Sequence, residues 1–173
     1  MGNKMPWLLI ALAIAARLLP HPFNLTPVGA LGLFAGAYVP PRLALLVPLV
    51  ALLVGDALTG FYDPVVMAGV YLGMLAGPCV GYWLLRTRRS VARIGGAVIA
   101  SAVFFFLTSN FAMWYSGPYY PPTLDGLLAC YLNGLPYLGY SLLGDGACAT
   151  LLFGGFELAR RSVASHQRNG ARA

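Results

Sequence analysis

The sequence is short of charge. Asp, Glu, Lys and Arg make up 9% of it, and only 5 residues are acidic; a soluble domain carries about 25% charged residues. So few charges cannot cover a water-facing surface on a chain of 18.4 kDa. There are 3 cysteines, Cys79, Cys130 and Cys148, and no Cys-x-x-Cys pair, so neither a zinc site nor a thioredoxin-like motif has support. The odd count leaves at least one thiol free. Walker, dinucleotide and Gly-x-Ser-x-Gly strings are also lacking, which argues against ATP hydrolysis or serine hydrolase chemistry by this chain.

What is present is apolar. Hydrophobic residues account for 59% of the chain and aromatic ones for 13%, which excludes a disordered polymer. The mean hydropathy of +0.74 places the chain among polytopic membrane proteins. The 173 residues suit one transmembrane domain with a basic C-terminal tail, 160–173. The net charge of +6 does not point to nucleic acid. Most basic residues cluster at the ends of apolar runs, as loop charges do.

Prolines, glycines and charges divide the chain into six spans, at 5–19, 26–38, 42–60, 64–85, 91–115 and 137–159. The first two are short for a hydrocarbon core of about 30 Å, and cross it only if tilted or sheltered by neighbours. Lys4 followed by the apolar run 7–16, with Ala13 and Ala15, has the pattern of a signal peptide. Further spans follow it, so a retained first helix is expected. The short apolar stretch 126–135 reads as a helix lying in an outer loop. With six spans and both termini cytoplasmic, all basic residues except Arg17 fall on the inner side, in agreement with the positive-inside rule.

The opposite connections, 20–24, 60–64 and 114–122, are aromatic, proline-stiffened and nearly uncharged. An interfacial belt explains such residues in part. A belt should occupy both sides, however, and the inner side has few rings beyond Trp83. The asymmetry predicts a ligand mouth facing outward.

Several residues in apolar surroundings could carry chemistry. Asp56 and Asp145 lie within spans, where ionisable groups face a bundle interior or a cavity. Arg17 is the expected ion-pair partner, and a polar pocket wall is the other reading. His21, between Pro20 and Pro22, could contact a ligand or a metal, but no second ligand stands close to it in sequence. Cys79 follows Pro78, which should kink its helix, and Gly77 and Gly81 leave room beside the backbone. A buried cysteine is commonly an inert hydrophobe; the sharper reading is a thiolate ligand for a soft metal centre. Cys130, nearer the outer face, competes for that role. Cys148 reads as packing. Ala11 and Ala15 form a small-xxx-small pair on the first span, which would let another helix approach.

These residues carry a resemblance. The strings Arg17-Leu-Leu-Pro-His-Pro-Phe-Asn-Leu-Thr-Pro-Val-Gly-Ala30, Gly55-Asp56 with Gly60-Phe61-Tyr62-Asp63-Pro64, Ser109-Asn110-Phe111-Ala112-Met113-Trp114 and Leu143-Gly144-Asp145 look like those of small bacterial membrane proteins. That group is related to the S-components of energy-coupling-factor (ECF) transporters, and the likeness covers about 17–157. Within it the chain is similar to the BtuM-type cobalamin transporters, solitary S-component-like proteins of Gram-negative bacteria. The resemblance implies an all-α, six-helix bundle in the bacterial inner membrane that binds cobalamin from the periplasm and moves it inward.

It also implies a membrane cysteine on the cobalt of cobalamin, matched here by Cys79 in Ala-Gly-Pro-Cys-Val-Gly. Loss of cyanide from cyanocobalamin would accompany thiolate ligation, which makes the protein a transporter first. Cys79 stands 15 residues after Pro64, about 22 Å along a straight helix, so the pocket would have to reach far inward; Cys130 avoids that difficulty. His21, Asn24, Tyr62, Asp63, Asn110, Trp114, Tyr115 and Tyr119 are the expected solute contacts. Family S-components mostly dock on a shared ECF module, and the Ala11/Ala15 face resembles their docking motif. Two other readings remain open: the same fold serving another vitamin or small solute, and a membrane structural or assembly subunit without a ligand.

Overall fold

The computed structural model describes residues 4–18, 27–117 and 119–170, with 163–170 described by backbone alone. The chain is all-α. Its helices are α1 (Met5–Leu18), α2 (Val28–Tyr38), α3 (Pro41–Thr59), α4 (Pro64–Met74), α5 (Ala76–Val80), α6 (Val91–Tyr115) and α7 (Leu124–Gly170), and a wide π turn at Gly81–Leu85 continues α5. Four stretches are long and apolar enough to cross a bilayer: Pro41–Thr59, Pro64–Leu85, Val91–Tyr115 and Leu124–Ser162. Their outward sides carry exposed Leu53, Leu72, Trp83, Leu107, Leu143 and Leu151. Apolar surface of that extent suits lipid as the solvent, and the architecture is that of a multi-span membrane bundle.

The short α2 is the centre of the bundle. It is apolar all round, and nearly every residue from Val28 to Ala37 is buried, as expected of a fully enclosed helix. Its shortness is answered by shelter, with α1, α3, α5, α6 and α7 packed around it. Glycines let the backbones approach closely. A Cβ at Gly36 would strike the backbone of Pro78 and Tyr82, and one at Gly81 would strike that of Leu33. The room expected beside Pro78 is therefore taken up by α2.

Pro78 does disturb its helix. It has no N–H to give to Met74, and the run breaks three residues earlier, at Leu75, before resuming as α5. Pro48 and Pro136 lie inside α3 and α7 without ending them.

One expected division is corrected. The stretch 126–135 is the first part of α7, continuous with the last span, and the helix runs on past residue 159 into the basic tail as far as Gly170. Forty-seven residues make about 70 Å of helix, far more than one crossing of about 30 Å needs. Contacts with α6 hold the first part upright. The Tyr131 hydroxyl donates to the Leu107 carbonyl at 3.0 Å, the Cys130 thiol donates to that of Asn110 at 3.3 Å, and Gly134 leaves space for Asn110 and Phe106.

The two ends of the bundle differ. At one end, Arg86 donates to the Val39 carbonyl, Arg89 to those of Ala37 and Arg86, and Arg93 to that of Leu84. Arginines there cap carbonyl groups at helix ends, the favourable place for a cation. The other end holds the turn 60–63 and the 116–123 connection. Rings are not confined to it. Phe34, Tyr38, Phe153 and Phe156 pack together near the arginines, and the Arg89 guanidinium lies 4.2 Å from the Tyr38 ring centre. The expected aromatic asymmetry thus holds for exposed connections and not for the interior.

Candidate functional site

The acidic residues within the apolar helices are structural in their contacts. Asp56 is buried at the end of α3, and Arg17 on α1 reaches across Gly55 to pair with it. The Tyr71 hydroxyl on α4 donates to the second oxygen of Asp56 at 2.9 Å. Three helices are tied by this one carboxylate. Tyr71 was not foreseen; it lies fifteen residues beyond Asp56, on another helix, and carries no motif. Asp145 on α7 accepts the Ala30 N–H at 2.8 Å, one of the otherwise unpaired donors in the first turn of α2.

At the aromatic end, α4, α6, α7 and Tyr119 and Tyr120 of the connection between α6 and α7 line an open cavity of about 530 Å³. Val66, Val70, Phe105 and Met113 form its apolar side, while Ser109, Asn110, Tyr119, Tyr120, Cys130 and Asn133 bring polar atoms to it. Apolar walls with a few convergent polar groups are the composition of a solute pocket, and the volume falls within the range of about 300–1,000 Å³ typical of such pockets. Asn133 donates to the Tyr120 hydroxyl at 3.3 Å, which joins α7 to the 116–123 connection. Cys130 is 2% exposed, with its sulfur against Asn110.

Three of the expected contacts, Asn110, Tyr119 and Cys130, therefore meet on one cavity. Cys79 does not line it; its side chain is exposed on α5. Asp63 caps α4, accepting from the N–H groups of Val65 and Val66 at 2.9 and 3.0 Å. Tyr62 stands beside it in the same turn, where partial burial, reinforced by the Asp56 carboxylate, raises its hydroxyl pKa above the usual value. Trp114 donates to the Pro121 carbonyl at 2.9 Å and pins the connection over the cavity. Tyr115 is exposed and stacks on Phe111. His21 and Asn24 lie outside the described residues. Asn133 and Tyr137, which the sequence reading missed, sit three and seven residues beyond Cys130 on the same side of α7. Helical spacing from Cys130 was the signal that could have found them.

Among the described residues no group of three His, Cys, Asp or Glu side chains could hold a metal ion. Ala11 and Ala15 are exposed on α1, on one stripe with Trp7, Leu8 and Leu12.

Fold and cavity together define a multi-span helical membrane protein with a pocket at one end. Residues 3–167 match the profile of a family of unknown function, DUF6580, and the chain belongs to that family. No curated protein and no solved structure matches it.

Proposed function

We propose that this protein is a six-helix solute-uptake protein of the bacterial inner membrane, with both termini cytoplasmic, and that its solute is cobalamin. The observation that carries the reading is the cavity at the aromatic end, where Asn110, Tyr119 and a thiol meet beside an apolar side. The arginine-rich end faces the cytoplasm by the positive-inside rule, so the cavity opens to the periplasm. The fold and the cobalamin assignment draw on the likeness to S-component-like proteins.

Its position on the cavity supports Cys130 as the thiolate ligand of cobalt, with Cys79 as the alternative thiol. A soft thiolate suits a transition metal in a macrocycle, and one axial ligand from the protein is enough. The exposed Tyr119 ring at the cavity offers an apolar face for the corrin. Deprotonated Cys130 forms the cobalt–sulfur bond as the cobalt–cyanide bond breaks, and cyanide leaves as the anion. Release inward takes place on an ECF-type module or on the chain alone. The exposed Ala11/Ala15 stripe of α1 supports docking of such a module.

The cavity volume also favours a second reading, a smaller vitamin-like solute held by the amides of Asn110 and Asn133 without a sulfur bond. An absorption spectrum separates the two. The protein is expressed with cyanocobalamin in the medium and purified as wild type, Cys130→Ala and Cys79→Ala. A co-purifying corrin band, shifted from free cyanocobalamin and reverting only in Cys130→Ala, is expected. Reversion only in Cys79→Ala moves the ligand to α5. A folded wild type without corrin overturns the cobalamin reading and leaves the smaller solute.

A further inference from the structure

A second and larger cavity, about 840 Å³, lies at the opposite end between α6 and α7. Its walls are Ile94, Val98 and Ile99 of α6 and Leu142, Ala149 and Phe153 of α7. Both helices are long apolar spans, so this cleft is walled by surfaces that meet hydrocarbon rather than water.

Three glycines also line it, Gly95 on α6 and Gly146 and Gly154 on α7, while Val98, Ala149 and Phe153 are its buried residues. Glycine inside a helix costs about 1 kcal/mol relative to alanine, and packing commonly explains it. Gly36, Gly69 and Gly81 are explained that way, because a Cβ there would strike a neighbouring helix. At Gly95, Gly146 and Gly154 a Cβ would meet nothing within 4 Å. Among the described residues nothing fills the space they leave.

The rim is cationic. Arg89, Arg160 and Arg161 border the cleft with Glu157 as the one acid. Glu157 lies 3.8 Å from Arg160 and 3.3 Å from Arg161, and the two guanidinium side chains are 61% and 75% exposed. One carboxylate cannot neutralise both, so a net positive charge faces the solvent boundary. The N-terminus of α6 at Val91 adds its partial positive charge to the same rim.

We propose that this cleft is a binding site for one anionic phospholipid, with an acyl chain in the apolar, glycine-lined trough and the phosphate on Arg160 and Arg161. An apolar trough that ends in paired guanidinium groups matches a molecule with a hydrocarbon tail and an anionic head. Guanidinium is the side chain best shaped for phosphate, and basic pockets between membrane helices bind such headgroups. A packed helix from another chain would account for the glycines but not for the net positive charge of the rim. The inference rests on the bundle spanning a bilayer and is independent of the transported solute.

Native mass spectrometry of the full-length protein in detergent tests it. Delipidated protein is titrated with dioleoyl phosphatidylglycerol and, separately, with dioleoyl phosphatidylcholine. One phosphatidylglycerol is expected to bind, tighter than phosphatidylcholine by roughly tenfold. The double variant Arg160→Gln, Arg161→Gln alters only exposed side chains and should abolish that preference while keeping residual binding of both lipids. A second double variant, Gly146→Leu with Gly154→Leu, fills the trough and should lose both lipids with an unchanged melting temperature. Equal binding of the two lipids by wild type overturns the proposal. So does a preference that survives the arginine variant, or a wild-type dimer that the leucine variant splits, which would make the cleft a helix-docking face.

Discussion

The Asp145 carboxylate, in the middle of α7, accepts the backbone N–H of Ala30 in the first turn of α2 at 2.8 Å, across 115 residues of sequence. A helix start normally finds its acceptor in the residue just before it. Here that place is held by Pro27, whose side chain has no acceptor to offer. The cap comes instead from another helix, and Gly29 keeps the path clear, since a Cβ there would collide with the Asp145 carboxyl group.

This contact makes Asp145 a stability residue with a graded signature. Asp145→Leu removes the acceptor from a buried donor and should cost about 1–3 kcal/mol. Asp145→Asn retains a carbonyl oxygen and should cost clearly less. Thermal unfolding in one detergent, followed by tryptophan fluorescence, ranks wild type above Asn above Leu. Equal melting temperatures for the two variants would show that the oxygen on Ala30 does not matter.

The Arg17–Asp56 pair should behave as a buried ion pair does. Asp56 is 1% exposed and Arg17 22%. Arg17→Gln leaves the carboxylate without its counter-charge, at a cost of about 3 kcal/mol. The double variant Arg17→Leu, Asp56→Leu should recover most of that loss, because neither charge then remains buried. Tyr71→Phe, which deletes only the hydroxyl donor to Asp56, should cost about 1.5 kcal/mol. A double-mutant cycle on melting temperatures reads all three.

Two glycines of the same chain should answer alanine oppositely. At Gly36 a Cβ would run into the backbone of Pro78 and Tyr82, which has no rotamer to give. Gly36→Ala should lose about 1–3 kcal/mol through overpacking. At Gly96 a Cβ meets nothing within 4 Å, and Gly96→Ala should be neutral or gain up to about 1 kcal/mol. A lower melting temperature for Gly96→Ala than for Gly36→Ala would contradict the close α2–α5 contact.

The cysteines should differ in reactivity. Cys79 is exposed and Cys130 buried against Asn110, and thiol modification follows access as well as thiolate character. Brief treatment of the detergent-solubilised protein with N-ethylmaleimide should label Cys79 well before Cys130. Peptide mass spectrometry reads the order. Asn110→Ala, which removes the amide beside the sulfur, should speed labelling of Cys130 and leave Cys79 unchanged.

Much of the helical arrangement is legible in one dimension. The runs 42–60, 64–85 and 91–115 end at or beside proline, glycine, serine or arginine, and the helical stretches of the structure begin and end within a residue of those points, with the break at Leu75 inside the second. Arg17 and Asp56 are the charged residues of the apolar stretches on their side of the bundle, so their pairing could be expected from the cost of leaving either alone. The start of the last span was not legible. The stretch 126–135 is too short by itself to count as a crossing, and Pro136 looks like a boundary. Contacts of Cys130, Tyr131 and Gly134 with α6 make it part of α7. The cavity was half legible. Asn110 came from the string 109–114 and Tyr119 from the aromatic connection 114–122, while Asn133 and Tyr137 stand out only by their helical spacing from Cys130.

The sequence alone determined the solvent of this protein. Too few charges and too much apolar length leave a lipid-embedded helical bundle as the physical solution, and the arginine clusters mark one of its ends. Only the tertiary structure decided which thiol stands on a cavity. Cys79 and Cys130 have similar apolar surroundings in sequence, and exposure depends on the rotation of each helix against its neighbours. α2 takes the glycine side of α5 and leaves Cys79 outside, whereas α6 receives Cys130 beside Asn110. Helix rotation is set by packing against residues far away in the chain, so no local pattern could have chosen between them.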